Sequence, residues 1–205
     1  MGDRLIRLRK REIRKLVQVR FAQLNDDERL QMSRCVCQRV ASLLSNINSQ
    51  IVMLYSALPD EVDVSSLMSA LFNAGKRIVL PETDTTVKRI VPRAIANLNA
   101  DLKIGVYGIR EPKAHCAIIT PTEIDLVIVP GRAFDERCYR LGRGAGYYDR
   151  FLKLLRSDAV TIGVAFEFQV FPNLPTASHD VPVSYVVTES RILKRKNGKT
   201  SRSNE

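Results

Sequence analysis

No apolar run in this 205-residue chain approaches the roughly 18 residues that a membrane-spanning helix requires. The N-terminus, MGDRLIRLRKREIRK, lacks the apolar core of a secretory signal. Ile6 stands where an N-myristoylation pattern requires Ser or Thr. Membrane insertion, export and lipid anchoring are therefore not expected. Cysteine is sparse, and Cys35, Cys37, Cys116 and Cys138 show no metal-ligand spacing. Cys35 and Cys37 fall in a helical pattern, where positions two apart face different directions. Reduced thiols in a cytoplasmic protein are expected. Neither standard nucleotide fingerprint is present: GxxxxGK[ST] is absent, and GRGAGY at 142–147 lacks the final glycine of GxGxxG.

What remains is an ordinary globular composition, 45% hydrophobic and 26% charged, long enough for one full core. The formal net charge of +10 is local: residues 1–20 carry +6, residues 191–205 carry +5, and the body between them −1. The tail RILKRKNGKTSRSNE reads as a solvated, disordered segment (191–205) appended to one domain (1–190). Aromatics are not interleaved with the bases, so specific nucleic-acid binding is not expected.

The stretch RLGRGAGYYDRFL at 140–152 follows a β-branched run, DLVIV at 125–129, that ends at Pro130 and Gly131. After the glycines, Tyr147, Tyr148, Phe151, Leu152, Leu154 and Leu155 recur at helical spacing. The order is strand, loop, glycines, helix start. Glycine lets backbone N–H groups approach a ligand, and a helix N-terminus adds unpaired donors. Arg140 and Arg143 bring full charges to the same loop, making it a candidate phosphate site.

Elsewhere, Ile13, Leu16, Val17, Phe21 and Leu24 mark one face of an N-terminal helix, with Lys10 and Arg14 four apart along one edge. Asn25 and Glu28 form a capping-box pattern opening a second helix to about Leu44. IVMLY at 51–55, a helix capped by Asp63 and closed by Gly75, and RIVL at 77–80, stopped by Pro81, make a strand–helix–strand crossover. Glu61 lies beyond the carboxyl end of the first of these strands, where ligands bind in open α/β sheets. Residues 87–95 read as an antiparallel edge hairpin, and 160–166 and 183–188 as further strands. The expected fold class is α/β: a single three-layer domain with a mostly parallel, Rossmann-like sheet.

This pattern resembles the 5-formyltetrahydrofolate cyclo-ligase family. PGRAFDERCYRLGRGAGYYDRFL at 130–152 is close to the family's PGxAFDxxGxRLGxGGGYYDRxL, with support from KREIR at 10–14, PDEVD at 59–63, YGIREP at 107–112 and HDVPVSYVVTE at 179–189. The resemblance implies a fold similar to sugar-phosphate isomerases and CoA transferases. It also implies ATP-dependent closure of 5-formyltetrahydrofolate, with or without polyglutamate, to 5,10-methenyltetrahydrofolate. A monomer or weak dimer is expected.

Carried over by position, Lys10, Arg11, Glu12, Ile13 and Arg14 would border ATP, with Lys10 and Arg14 clamping its phosphates. Arg140, Leu141, Gly142, Arg143, Gly144, Ala145, Gly146, Tyr147 and Tyr148 would form the ATP loop, Lys10, Arg14 and Arg143 being catalytic. Ser56, Glu61, Tyr107 and the 143–147 segment would border the folate, and Asp149 and Asp180 would ligate Mg2+. Three positions depart from the family pattern: Cys138 replaces glycine, Ala145 replaces glycine or lysine, and Ser184 replaces an acid. Two rivals stand beside this reading: a sugar-phosphate isomerase or CoA transferase of similar fold, which would need a base and a phosphate site but no KxxxR helix, and a relative that holds folate or nucleic acid without turnover.

Overall fold

The structure is a computed structural model that describes residues 2–105 and 108–196. Helix α1 spans Gly2–Ala22 and α2 spans Asp26–Leu44. The predicted capping box joins them: Asn25 Oδ1 accepts from Glu28 N–H at 2.8 Å, and Glu28 Oε2 accepts from Asn25 N–H at 3.0 Å. Strand β1 (Ile51–Met53), helix α3 (Ser65–Asn73) and strand β2 (Arg77–Asp84) form the predicted crossover, with β1 and β2 parallel. Asp63 caps less directly than expected. Val64 holds the N-cap position, and Asp63 Oδ1 accepts from Ser65 N–H at 2.8 Å. Gly75, at φ +76°, ends α3 in a Schellman turn, with Lys76 N–H on the Leu71 carbonyl and Gly75 N–H on that of Phe72.

Strand β2 runs through Pro81 instead of stopping there, pairing antiparallel with β3 (Arg89–Ile95) so that Pro81 faces Pro92. Both prolines fit because β1 no longer flanks β2 at that level and β3 is the sheet edge. A small hairpin follows, β4 (Leu102–Ile104) against β5 (Arg110–Pro112). Then come β6 (Leu126–Val129), β7 (Ala133–Asp135), β8 (Arg140–Leu141), α4 (Tyr147–Leu152), β9 (Val160–Val164), β10 (Val170–Phe171), β11 (Tyr185–Val187) and β12 (Ile192–Lys194).

The main sheet has seven strands in the order β12-β11-β9-β6-β1-β2-β3. Its five inner strands are mutually parallel, and β3 and β12 are antiparallel edges. The predicted boundary at 190 falls short, because Ile192–Lys194 pair with Tyr185–Val187 and extend the sheet. Residues 197–205 lie outside the described part. Side chains alternate across the sheet as period-two geometry requires. Val52, Leu54, Ile78, Leu80, Leu126 and Ile128 pack toward α1, α2 and α3. Met53, Val79, Val127 and Val129 pack toward α4. The expected three layers are present.

Helix α4 is shorter than the apolar spacing predicts. It stops at Leu152, and Leu154 is 56% exposed. With less than two turns, its dipole contributes little. Anion binding at the glycine loop, expected from the sequence, would therefore have to rest on side chains and individual N–H groups.

Candidate functional site

Strand β1 has β2 on one side and β6 on the other, so the strand order reverses beside β1. Such a switch point opens a crevice beyond the carboxyl ends of the strands. A cleft of about 860 Å³ lies there. Tyr55, Ser56, Leu58 and Glu61 enter it beyond β1, Pro130, Gly131 and Arg132 beyond β6, and Pro81 and Thr83 from β2. Helix α1 forms another wall with Ile6, Arg7, Lys10 and Arg14, and the loop 140–149 a third. Residues 177–180 close the circuit. With Ile90 of β3 and Ile109 and Arg110 of the β4–β5 hairpin, the cleft gathers residues from eight separate stretches of chain.

Most predicted site residues meet here: Lys10, Arg14, Ser56, Glu61, all of 140–148, Asp149 and Asp180. Three do not. Arg11 and Glu12 point to solvent, and Ile13 packs against the core, because only positions three or four apart on α1 (Ile6, Arg7, Lys10, Arg14) share the cleft-facing edge. Tyr107 lies outside the described residues.

The glycines are needed where the loop turns. Gly144 has φ +114° and Gly146 φ +70°, both in the left-handed region. A Cβ at Gly142 would come within 2.5 Å of the Arg140 guanidinium. Arg14 fastens α1 to this loop, its Nε donating to the Gly142 carbonyl at 2.8 Å. Burial, with Arg132 nearby, lowers the Arg14 pKa, so a bound anion would relieve both. Cys138, which replaces the family glycine, adopts φ +65° and keeps a glycine-like backbone. Its thiol is buried, and burial pushes its pKa up to about 11. That departure leaves the loop's entry intact. Ser184, the other polar departure, bonds Thr161 between neighbouring strands.

Two charged groupings divide the cleft. In the first, Arg140 is buried with Nη2 2.9 Å from Asp149 Oδ1, and its guanidinium lies 5.5 Å from the Tyr148 ring centroid. The two charged atoms are close yet not aligned for a hydrogen bond. In the second, Asp60 bridges Arg132 and Arg143, while Arg143 Nε also donates to Glu61 Oε1 at 3.2 Å. Burial raises the Asp60 pKa, but the two guanidiniums outweigh it and hold the carboxyl below its usual range. For Glu61 the balance reverses: burial exceeds the help from Leu58 N–H and Arg143, so its pKa is raised. Arg143, with two carboxylates, is raised despite burial. Lys10 Nζ donates to Asp180 Oδ2 at 2.6 Å.

The chain matches the 5-formyltetrahydrofolate cyclo-ligase family over residues 7–189. The chain belongs to that family. The Saccharomyces cerevisiae 5-formyltetrahydrofolate cyclo-ligase is 30% identical over 177 residues, covering 76% of this chain and 83% of its own. The Haemophilus influenzae 5-formyltetrahydrofolate cyclo-ligase is 29% identical over 174 residues, covering 84% and 91%. Among solved structures, Aquifex aeolicus 5,10-methenyltetrahydrofolate synthetase superposes with TM-score 0.80 at 36% identity, covering 96% of each chain. This cyclo-ligase fold is the α/β architecture expected from the sequence.

A magnesium ion favours oxygen donors shared between one or two carboxylates and nucleotide phosphates. Asp149 fits, since its Oδ1 is buried with no hydrogen-bond partner among the described residues. Asp180 offers less, because Oδ2 accepts from both Lys10 and the Ala177 N–H, leaving Oδ1 at 3.6 Å from His179 Nε2. Arg132 and Asp60 had no local signal beyond lying inside the PGRAF and PDEVD motifs. Arg7, one turn before Lys10 on α1, could have been found by extending the same edge.

Proposed function

We propose that this cleft catalyses ATP-dependent conversion of 5-formyltetrahydrofolate to 5,10-methenyltetrahydrofolate, releasing ADP and phosphate. The observation that carries this reading is the convergence of Lys10, Arg14, Arg140 and Arg143 on the glycine loop, with buried Glu61 alongside. Family membership supports the same reaction.

An amide-like formyl oxygen is a poor leaving group. Transfer of the γ-phosphoryl group to that oxygen forms a new P–O bond as the bond to ADP breaks. The N10 lone pair then attacks the formyl carbon, phosphate departs with the former formyl oxygen, and the N10 proton passes to water. Phosphoryl transfer requires positioning and charge neutralisation more than covalent help. Lys10 and Arg14, held on one helix edge, would bind the phosphates together with N–H groups of 142–146. Arg143, more exposed than Arg140, can exchange Asp60 and Glu61 for ligand. Glu61, freed from Arg143, would accept hydrogen bonds from the pterin's donor edge, with Ser56 beside it. Asp149, and Asp180 through water, would hold Mg2+, which supplies charge neutralisation on the phosphates when bound.

The test is growth of the methenyl product's absorbance with ATP and Mg2+ present. Unchanged turnover without nucleotide, or in EDTA, contradicts the ligase reading. An isomerase of similar fold would show no folate turnover, and a binder would hold folate without forming product.

A further inference from the structure

Away from the cleft, Asp101, His115 and Cys116 bring one oxygen, one nitrogen and one sulfur donor to within 4.8 Å of one another. His115 Nε2 lies 3.0 Å from Asp101 Oδ1, and the Cys116 thiol faces the Asp101 carbonyl at 3.6 Å. Zinc binds such donors at about 2.0 to 2.3 Å, so tetrahedral ligand atoms sit roughly 3.3 to 3.8 Å apart. To reach that geometry the His115 and Asp101 atoms open slightly and no other pair closes by more than about 1 to 1.5 Å.

The donors are held in place by groups that do not compete for the ion. Asp101 Oδ2 accepts from Ala96 and Asn97 N–H groups, each at 2.8 Å, which fixes the carboxylate and turns Oδ1 toward His115. Arg93 Nη1 donates to the Cys116 carbonyl at 2.7 Å and the Ala114 carbonyl at 3.1 Å, while Arg93 Nε is held by Glu82 at 2.7 Å. The Lys113 N–H donates to the Asp101 carbonyl at 2.8 Å, tying the two segments together. Cys116 is buried and the His115 side chain is 64% exposed, so an ion and a completing water can enter on the histidine side.

We propose that Asp101, His115 and Cys116 form a binding site for a divalent transition-metal ion of the zinc type, with solvent as the fourth ligand. Soft sulfur and imidazole nitrogen select such an ion over Mg2+, which requires oxygen. Binding releases the thiol proton and replaces the His115–Asp101 hydrogen bond by two metal–ligand bonds. The sequence gives no spacing signal because the ligands come from opposite ends of the β4–β5 hairpin: Asp101 directly precedes β4, and His115 and Cys116 follow β5. The hairpin carries Ile109 and Arg110 to the cleft wall. An ion at its base fastens that wall.

Co2+, added to the full chain with its thiols reduced, serves as the probe, read by thiolate-to-cobalt absorption in the near ultraviolet and displaced by Zn2+. The site predicts one equivalent of Co2+, loss of the band in Cys116→Ser, and at least tenfold weaker binding in His115→Ala, an exposed change that does not threaten folding. Cys35→Ser, at an exposed cysteine, leaves the band unchanged. No band in the wild type, a band surviving Cys116→Ser, or unaltered affinity in His115→Ala overturns the proposal. The readout is independent of folate turnover.

Discussion

Arg140 and Arg143 stand three residues apart in one loop, yet their surroundings differ in kind. The Arg140 side chain is 4% exposed, set against Asp149 and Tyr148, whereas the Arg143 side chain is 43% exposed and shared between Asp60 and Glu61. A buried ion pair is costly to break from one side, because the partner charge remains desolvated. A half-exposed pair is weakened by solvent and exchanges partners easily. The comparison separates two duties within one motif. Arg140 and Asp149 shape the floor of the cleft, and under the proposed function Arg143 would be the arm that changes partners when ligand arrives.

The sharpest way to break that division is Arg140→Ala. It should lower unfolding stability by about 3 to 5 kcal/mol in urea denaturation, since the buried Asp149 Oδ1 is left without its opposite charge. Arg140→Met with Asp149→Leu should recover much of the loss. If the double variant recovers nothing, Arg140 acts by some route other than this pair. Arg143→Ala should do the opposite, leaving stability within about 1 kcal/mol while kcat/KM falls 10- to 150-fold, the equivalent of about 1.5 to 3 kcal/mol. Equal stability losses in the two single variants would erase the distinction.

Pairings of this kind explain how far the sequence could be read. The parallel sheet, the β1–α3–β2 crossover and the glycine loop rest on local periodicity and turn chemistry, which a linear chain displays. Lys10 and Arg14 were visible as one helix edge, and their arrival in the cleft agrees with it. The Asp60 bridge to Arg132 and Arg143 spans 72 and 83 residues, and Lys10 reaches Asp180 across 170. No local pattern encodes such distances. The continuation of β2 through Pro81 was hidden for a related reason: proline cannot donate to a strand on its N–H side, and only the topology shows that β1 has ended at that level while β3 continues on the other side. Helix α4 was overestimated because Leu154 keeps the helical period without being buried.

A smaller effect sharpens the rim half of the comparison. Glu61 has a folded pKa above its unfolded value, so the native state binds the proton more tightly. Stability should therefore fall as pH rises from the ordinary glutamate value through the raised one, and Glu61→Gln should flatten that slope. Urea midpoints across this window check the sign; a slope unchanged in Glu61→Gln assigns it to another group. The same variant should raise the folate KM more than the ATP KM.

The smallest effect is expected beside the largest charge density on α1. Lys10→Ala should reduce kcat/KM for ATP about 10- to 150-fold by loss of a charge-assisted hydrogen bond. Arg11→Ala, whose side chain faces solvent, should shift stability by no more than about 0.5 kcal/mol and leave kinetics alone. Like behaviour of the two would remove α1 from the phosphate site.

Fate of the formyl oxygen tests the central claim most directly. With 18O in the formyl group of 5-formyltetrahydrofolate, one turnover in unlabelled water should deliver one 18O atom into the released inorganic phosphate. Phosphate free of label, formed together with methenyl product, would show that ring closure proceeds without phosphorylation of that oxygen and would contradict the account.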